Sequence, residues 1–68
     1  KDFKTAIKYY SKVLKKYPED YIAIRNSALA ARRLGNVKME KKYLLMLLEH
    51  GTESEKLQAQ ARLDIIGK

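Results

Sequence analysis

Phe3, Ala6, Ile7, Tyr10, Val13, Leu14 and Tyr17 recur at the i, i+3, i+4, i+7 spacing of one helix face, and Pro18 ends the run. At about 100° per residue these side chains form one narrow stripe, while Lys1, Lys4, Lys8, Lys12 and Lys15 take the opposite side. A short helix this one-sided is held by the packing of its apolar face more than by its own propensity. The rest of the chain must therefore supply elements that stack on it.

Helical patterns continue throughout. The first helix is expected over 2–17, with Asp2 as its cap or first-turn acid and Lys15 and Lys16 at its C-terminal end. Pro18, Glu19 and Asp20 then turn the chain and place acids at the start of a second helix over 19–34. This helix is rich in small residues, and Ile24, Ser27, Ala28 and Ala31 form a face that admits close approach of a neighbour. Gly35 ends it and Asn36 is placed to cap a third helix over 37–50. There Val37, Tyr43, Leu44, Leu47 and Leu48 form the main stripe, and Leu45 and Met46 extend it, so cover on two sides is expected. Gly51 ends that helix, and a hydroxyl of Thr52 or Ser54 is placed to cap a fourth, to about residue 66. The fourth carries Leu57, Ala61 and Ile65 on one side and Ala59, Leu63 and Ile66 on another, which suggests a further neighbour or a dimer contact. Connections of two to three residues imply antiparallel neighbours. No strand pattern competes.

A chain of 68 residues allows one small domain. It has no cysteine, which excludes disulfide staples and thiolate metal sites. The longest apolar run, residues 43–48, falls far short of the ~20 residues of a membrane span. Neither that nor a signal-peptide pattern is seen, so cytoplasmic is the default expectation for location. The net charge of +7 favours acidic partners. Nucleic acid is disfavoured, because the lysines of the first helix lack interleaved aromatics or a Gly-rich loop and read as a solubility face.

Catalysis has little to work with. His50 is the only histidine, and at the end of the third helix it suits the negative end of the dipole. Glu53 and Glu55 read as first-turn acids, not as a general acid/base couple. No catalytic residue, metal ligand set or cofactor site is expected, and the chain reads as no enzyme.

Shifting the chain against itself by 34 residues aligns Asp2 with Asn36, Tyr9 with Tyr43, Tyr10 with Leu44, Val13 with Leu47, Leu14 with Leu48 and Pro18 with Thr52. The run Asp2-Phe3-x-x-Ala6-Ile7-x-Tyr9-Tyr10-x-x-Val13-Leu14-x-x-x-Pro18 resembles the second helix of a tetratricopeptide repeat (TPR), nearly position for position. Ile24, Ser27, Ala28 and Ala31 then stand at the first-helix positions, and Gly35-Asn36-Val37 at the intra-repeat turn. The match departs at Ile24, Glu40 and Thr52, where the family favours Trp, a small residue and Pro. The resemblance implies an all-α domain over 1–68: antiparallel helix hairpins stacked as a right-handed superhelix. Residues 1–18 would be the second helix of one repeat, 19–52 a full repeat, and 53–68 a following or capping helix. It also implies that Ala6 sits in a tight seam, where Ala6→Leu overpacks at about 1–3 kcal/mol. Core positions are expected for Tyr10, Tyr17 and Tyr43.

In such arrays first helices line the concave groove. Carried over residue by residue, the groove positions are Ile22, Arg25, Asn26, Leu29, Arg32 and Arg33. Arg25, Leu29, Arg32 and Arg33 are spaced to share one exposed face, and arginine forks beside an apolar leucine suit a carboxylate-bearing peptide. Asn26, with Arg25 beside it, resembles part of the clamp by which chaperone-binding members hold a peptide C-terminus. The function expected is thus a protein-interaction scaffold or adaptor binding an acidic or carboxylate-bearing peptide. Two alternatives stand beside it: nucleic-acid binding by a basic helical repeat, and a structural role through self-association or packing on further repeats.

Overall fold

The computed structural model describes residues 2–67. Lys1, assigned above to the lysine face, lies outside the described residues, as does Lys68 at the end of the fourth segment. The described residues form four helices and no strand: α1 (Phe3–Lys16), α2 (Tyr21–Leu34), α3 (Val37–His50) and α4 (Glu53–Ile66).

Side chains start each helix by taking up N–H groups that the helix itself leaves unpaired. Asp2 accepts from the Thr5 N–H at 3.1 Å and from the Thr5 hydroxyl at 2.6 Å. Asp20 accepts from Ile22 and Ala23, each at 3.2 Å, Asn36 from Met39 at 3.0 Å, and Thr52 from Glu55 at 3.3 Å. Asp20 is extended and caps, so α2 begins at Tyr21 and not at residue 19. The first connection accordingly spans residues 17–20 and is longer than expected, whereas 35–36 and 51–52 are two residues each.

Two glycines shape the turns for different reasons. Gly35 has φ 74°, the left-handed conformation that suits glycine, and the Asn36 N–H reaches back to the Ala31 carbonyl at 3.0 Å. Gly51 is extended, but a Cβ there would stand 2.7 Å from the Leu47 carbonyl oxygen and 2.8 Å from the Glu55 Cβ.

Consecutive helices pack on one another, α1 on α2, α2 on α3 and α3 on α4. Their direction alternates. Ile7 near the start of α1 packs with Ala30 and Ala31 near the end of α2, and Glu40 near the start of α3 pairs with Arg62 near the end of α4. The main core joins Ile24 and Ala28 of α2 to Tyr43, Leu44 and Leu47 of α3 and Ala59 of α4. The small face of α2 is what lets its neighbours come close: Ser27 and Ala31 are fully buried, and the Ser27 hydroxyl donates to its own helix, to the Ala23 carbonyl at 2.7 Å.

Several expectations need correction. Tyr17 is 57% exposed and lies just past the last helical residue of α1, where the backbone has left helical geometry. Val37 on the third stripe is also exposed, and Leu45 is exposed where cover on two sides was expected. Phe3, Tyr10 and Leu14 are half-buried. Ala6 is half-buried too, and it faces a crevice of about 310 Å³ beside Phe3 and Tyr10, so a larger side chain there has room and need not overpack. In α4 the side carrying Ala59, Leu63 and Ile66 faces the core, leaving Leu57 and Ile65 exposed.

Candidate functional site

The best-formed concavity lies between α2 and α4, with α3 as its floor. It encloses about 150 Å³. Ala28, Leu44, Leu47 and Ala59 make the floor apolar, and Arg25, Leu29 and Arg32 come from α2. The opposite wall is built by Glu55, Gln58 and Arg62 of α4, at the i, i+3 and i+7 positions of one helix face.

Two ion pairs close its ends. Arg25 Nη1 donates to Glu55 Oε2 at 2.9 Å, tying the N-terminal halves of α2 and α4 together. Arg62 donates twice to Glu40, through Nε at 2.7 Å and through its Nη2 group at 3.3 Å. The Glu40 side chain is only 3% exposed, so this fork is the counter-charge that makes its burial tolerable. The hydrogen bond to Glu40 also raises the Arg62 guanidinium above its ordinary pKa. With Glu40 and Glu55 matched to Arg62 and Arg25, Arg32 is left over. Among the described residues no carboxylate stands within 4.0 Å of it. The crevice therefore combines an apolar floor with one uncompensated guanidinium.

The expected groove residues are brought together only in part. Arg25, Leu29 and Arg32 line this crevice, whereas Asn26 and Arg33 turn to the crevice between α1 and α2. Leu29 stands on the ridge between the two, 48% exposed, and belongs to both. Ile22 is equally exposed and lines neither. Arg25 and Arg33 thus do not share one binding face.

Sequence reading missed Glu40, Glu55 and Arg62 as site residues. A signal for Glu40 was present: Glu40, Leu44 and Leu47 stand at i, i+4 and i+7, so the carboxylate lies on the apolar stripe and requires a buried partner. Likewise Glu55, Ala59 and Arg62 share the inner face of α4. His50 sits in the last turn of α3 with Nε2 3.7 Å from Glu49, away from this crevice. Among the described residues no three His, Cys, Asp or Glu side chains cluster as a metal site, and no helix is long and apolar enough to cross a membrane.

No family model matches the chain, and neither does any curated protein or solved structure.

Proposed function

We propose that the chain is a TPR-like module of right-handed, stacked helix hairpins that binds a carboxylate-bearing peptide in the α2–α4 crevice. The single observation behind the ligand class is Arg32, an unpaired guanidinium beside a floor of Ala28, Leu44, Leu47 and Ala59. The volume of about 150 Å³ suits one anchoring side chain or a chain terminus, and is well below the ~300 Å³ at which small-molecule sites begin. The repeat reading is supported by helix geometry. Caps Asp2 and Asn36 and the bounds of α1 and α3 are each displaced by 34 residues, the tetratricopeptide spacing. Caps Asp20 and Thr52 are displaced by 32, the difference residing in the longer first connection.

Titration calorimetry with short peptides tests the reading. A peptide ending in a free carboxylate next to an apolar residue should bind, and its C-terminal amide should bind at least tenfold more weakly. Arg32→Ala should weaken the acid to the level of the amide, while Arg33→Ala leaves it unchanged. Equal binding of acid and amide overturns the proposal. A steep fall of affinity for oligonucleotides with salt, alongside no peptide binding, favours the nucleic-acid alternative instead.

A further inference from the structure

Among the described residues two helices each keep apolar side chains exposed on one face, and the two faces are complementary. On α4, Leu57, Ala61 and Ile65 lie at i, i+4 and i+8, with Leu57 70% and Ile65 64% exposed. On α1, Tyr9 and Val13 lie at i and i+4, with Tyr9 64% exposed and Val13 half-buried.

The chain itself shows what an α1-type face accepts. Tyr9 and Val13 stand 34 residues before Tyr43 and Leu47, which are each 4% exposed in the cluster with Ile24 and Ala28 of α2. The face that α3 uses to hold a helix is thus present on α1, and among the described residues no helix lies on it. What covers it on α3 is a helix of small residues flanked by larger aliphatics. α4 offers a similar arrangement on its outer side, with Ala61 between Leu57 and Ile65.

Charge points the same way. α1 carries Lys4, Lys8, Lys12, Lys15 and Lys16 against Asp2 at its cap, and none of these lysines has a carboxylate within 4.0 Å among the described residues. α4 is net acidic, with Glu53, Glu55 and Asp64 against Lys56 and Arg62. Glu53 and Asp64 are exposed on its outer side and also lack a cationic partner among the described residues. An antiparallel approach, the way α2 meets α3, brings Glu53 toward Lys16 and Asp64 toward the first turns of α1.

We propose that α4 of one copy of this chain docks on α1 of a second copy. Because the two faces differ, the contact is head-to-tail, and each added copy leaves one face of each kind open. The assembly grows as a linear series and does not stop at a pair.

Sedimentation velocity over a wide concentration range tests this. The weight-average mass should rise continuously with concentration and pass that of two chains. A variant with Leu57→Glu and Ile65→Glu, and a second with Tyr9→Glu and Lys12→Glu, should each stay monomeric at every concentration. Mixed together, they retain one intact face of each kind, so they should form a one-to-one pair that grows no further. All four positions are exposed, and helical circular dichroism equal to the parent chain verifies that both variants fold. A parent chain that stays monomeric, one that stops at a dimer, or a mixture that fails to pair overturns the proposal.

Discussion

Arg62 grips Glu40 with two hydrogen bonds, and through them the last turns of α4 are fastened to the first turns of α3. The carboxylate is inside and its partner is partly at the surface, so the two ends of the pair have unequal costs when removed.

Glu40→Ala should destabilise the chain by about 2–3 kcal/mol, below the figure for a fully enclosed pair because water still reaches Arg62. Replacing both, with Glu40→Met and Arg62→Met, should recover most of that loss, since no charge is then left unmatched. Urea denaturation of the single and double variants checks both outcomes. A single variant as stable as the parent would show that the pair does not hold α4.

The buried face of α2 should resist added volume. Ala31→Leu, at a site with no exposed surface, should cost about 1–3 kcal/mol, whereas Ala6→Leu at the open crevice should change stability little. Melting temperatures of the two variants compare them directly. The reverse order would place the tight seam on α1.

These two alanines also measure how far sequence reading reaches. Four helices, the glycine stops of α2 and α3, and Asp2, Asn36 and Thr52 as candidate caps were legible, because periodicity and capping are local. Whether Ala6 or Ala31 is enclosed depends on which helices flank it, and a stripe does not report that. Tyr9 and Tyr43 make the same point: they are aligned by the 34-residue shift, yet one is 64% and the other 4% exposed. The ion pairs were hidden for a related reason. Arg25 and Glu55 are 30 residues apart, and only the stacking of α2 and α4 over α3 makes them neighbours.

The cap of α1 should respond to acid. The Thr5 hydroxyl, followed by the Thr5 N–H, holds Asp2 below its ordinary pKa of 3.8. A carboxylate with a depressed folded-state pKa adds stability above the unfolded value and loses it as pH falls through the folded one. The first turn of α1 should therefore fray only in strong acid, below the ordinary carboxylate range. The Thr5 amide proton resonance should follow that transition. In Asp2→Asn, which caps without titrating, it should stay flat.

The two turn glycines should fail in different ways. Gly35→Ala meets no atom within 4 Å and should cost about 1 kcal/mol through its left-handed backbone alone, with Gly35→Asn costing less. Gly51→Ala has to displace the start of α4, because its new carbon would overlap the Leu47 carbonyl and the Glu55 side chain. Thermal melts rank the three. Salt should lower the stability of the parent more than that of Gly51→Ala if the shift also parts Glu55 from Arg25.

Arg25 and Glu55 clasp across the mouth of a crevice, and the carboxylate at that clasp is nine-tenths hidden from water. Any visiting anion that captures this guanidinium strands Glu55 in a dry place with nothing to answer its charge. Capture by Arg32 leaves the clasp shut. Occupancy through one arginine would loosen the tie between the N-terminal halves of α2 and α4, while occupancy through the other would leave the module as rigid as before.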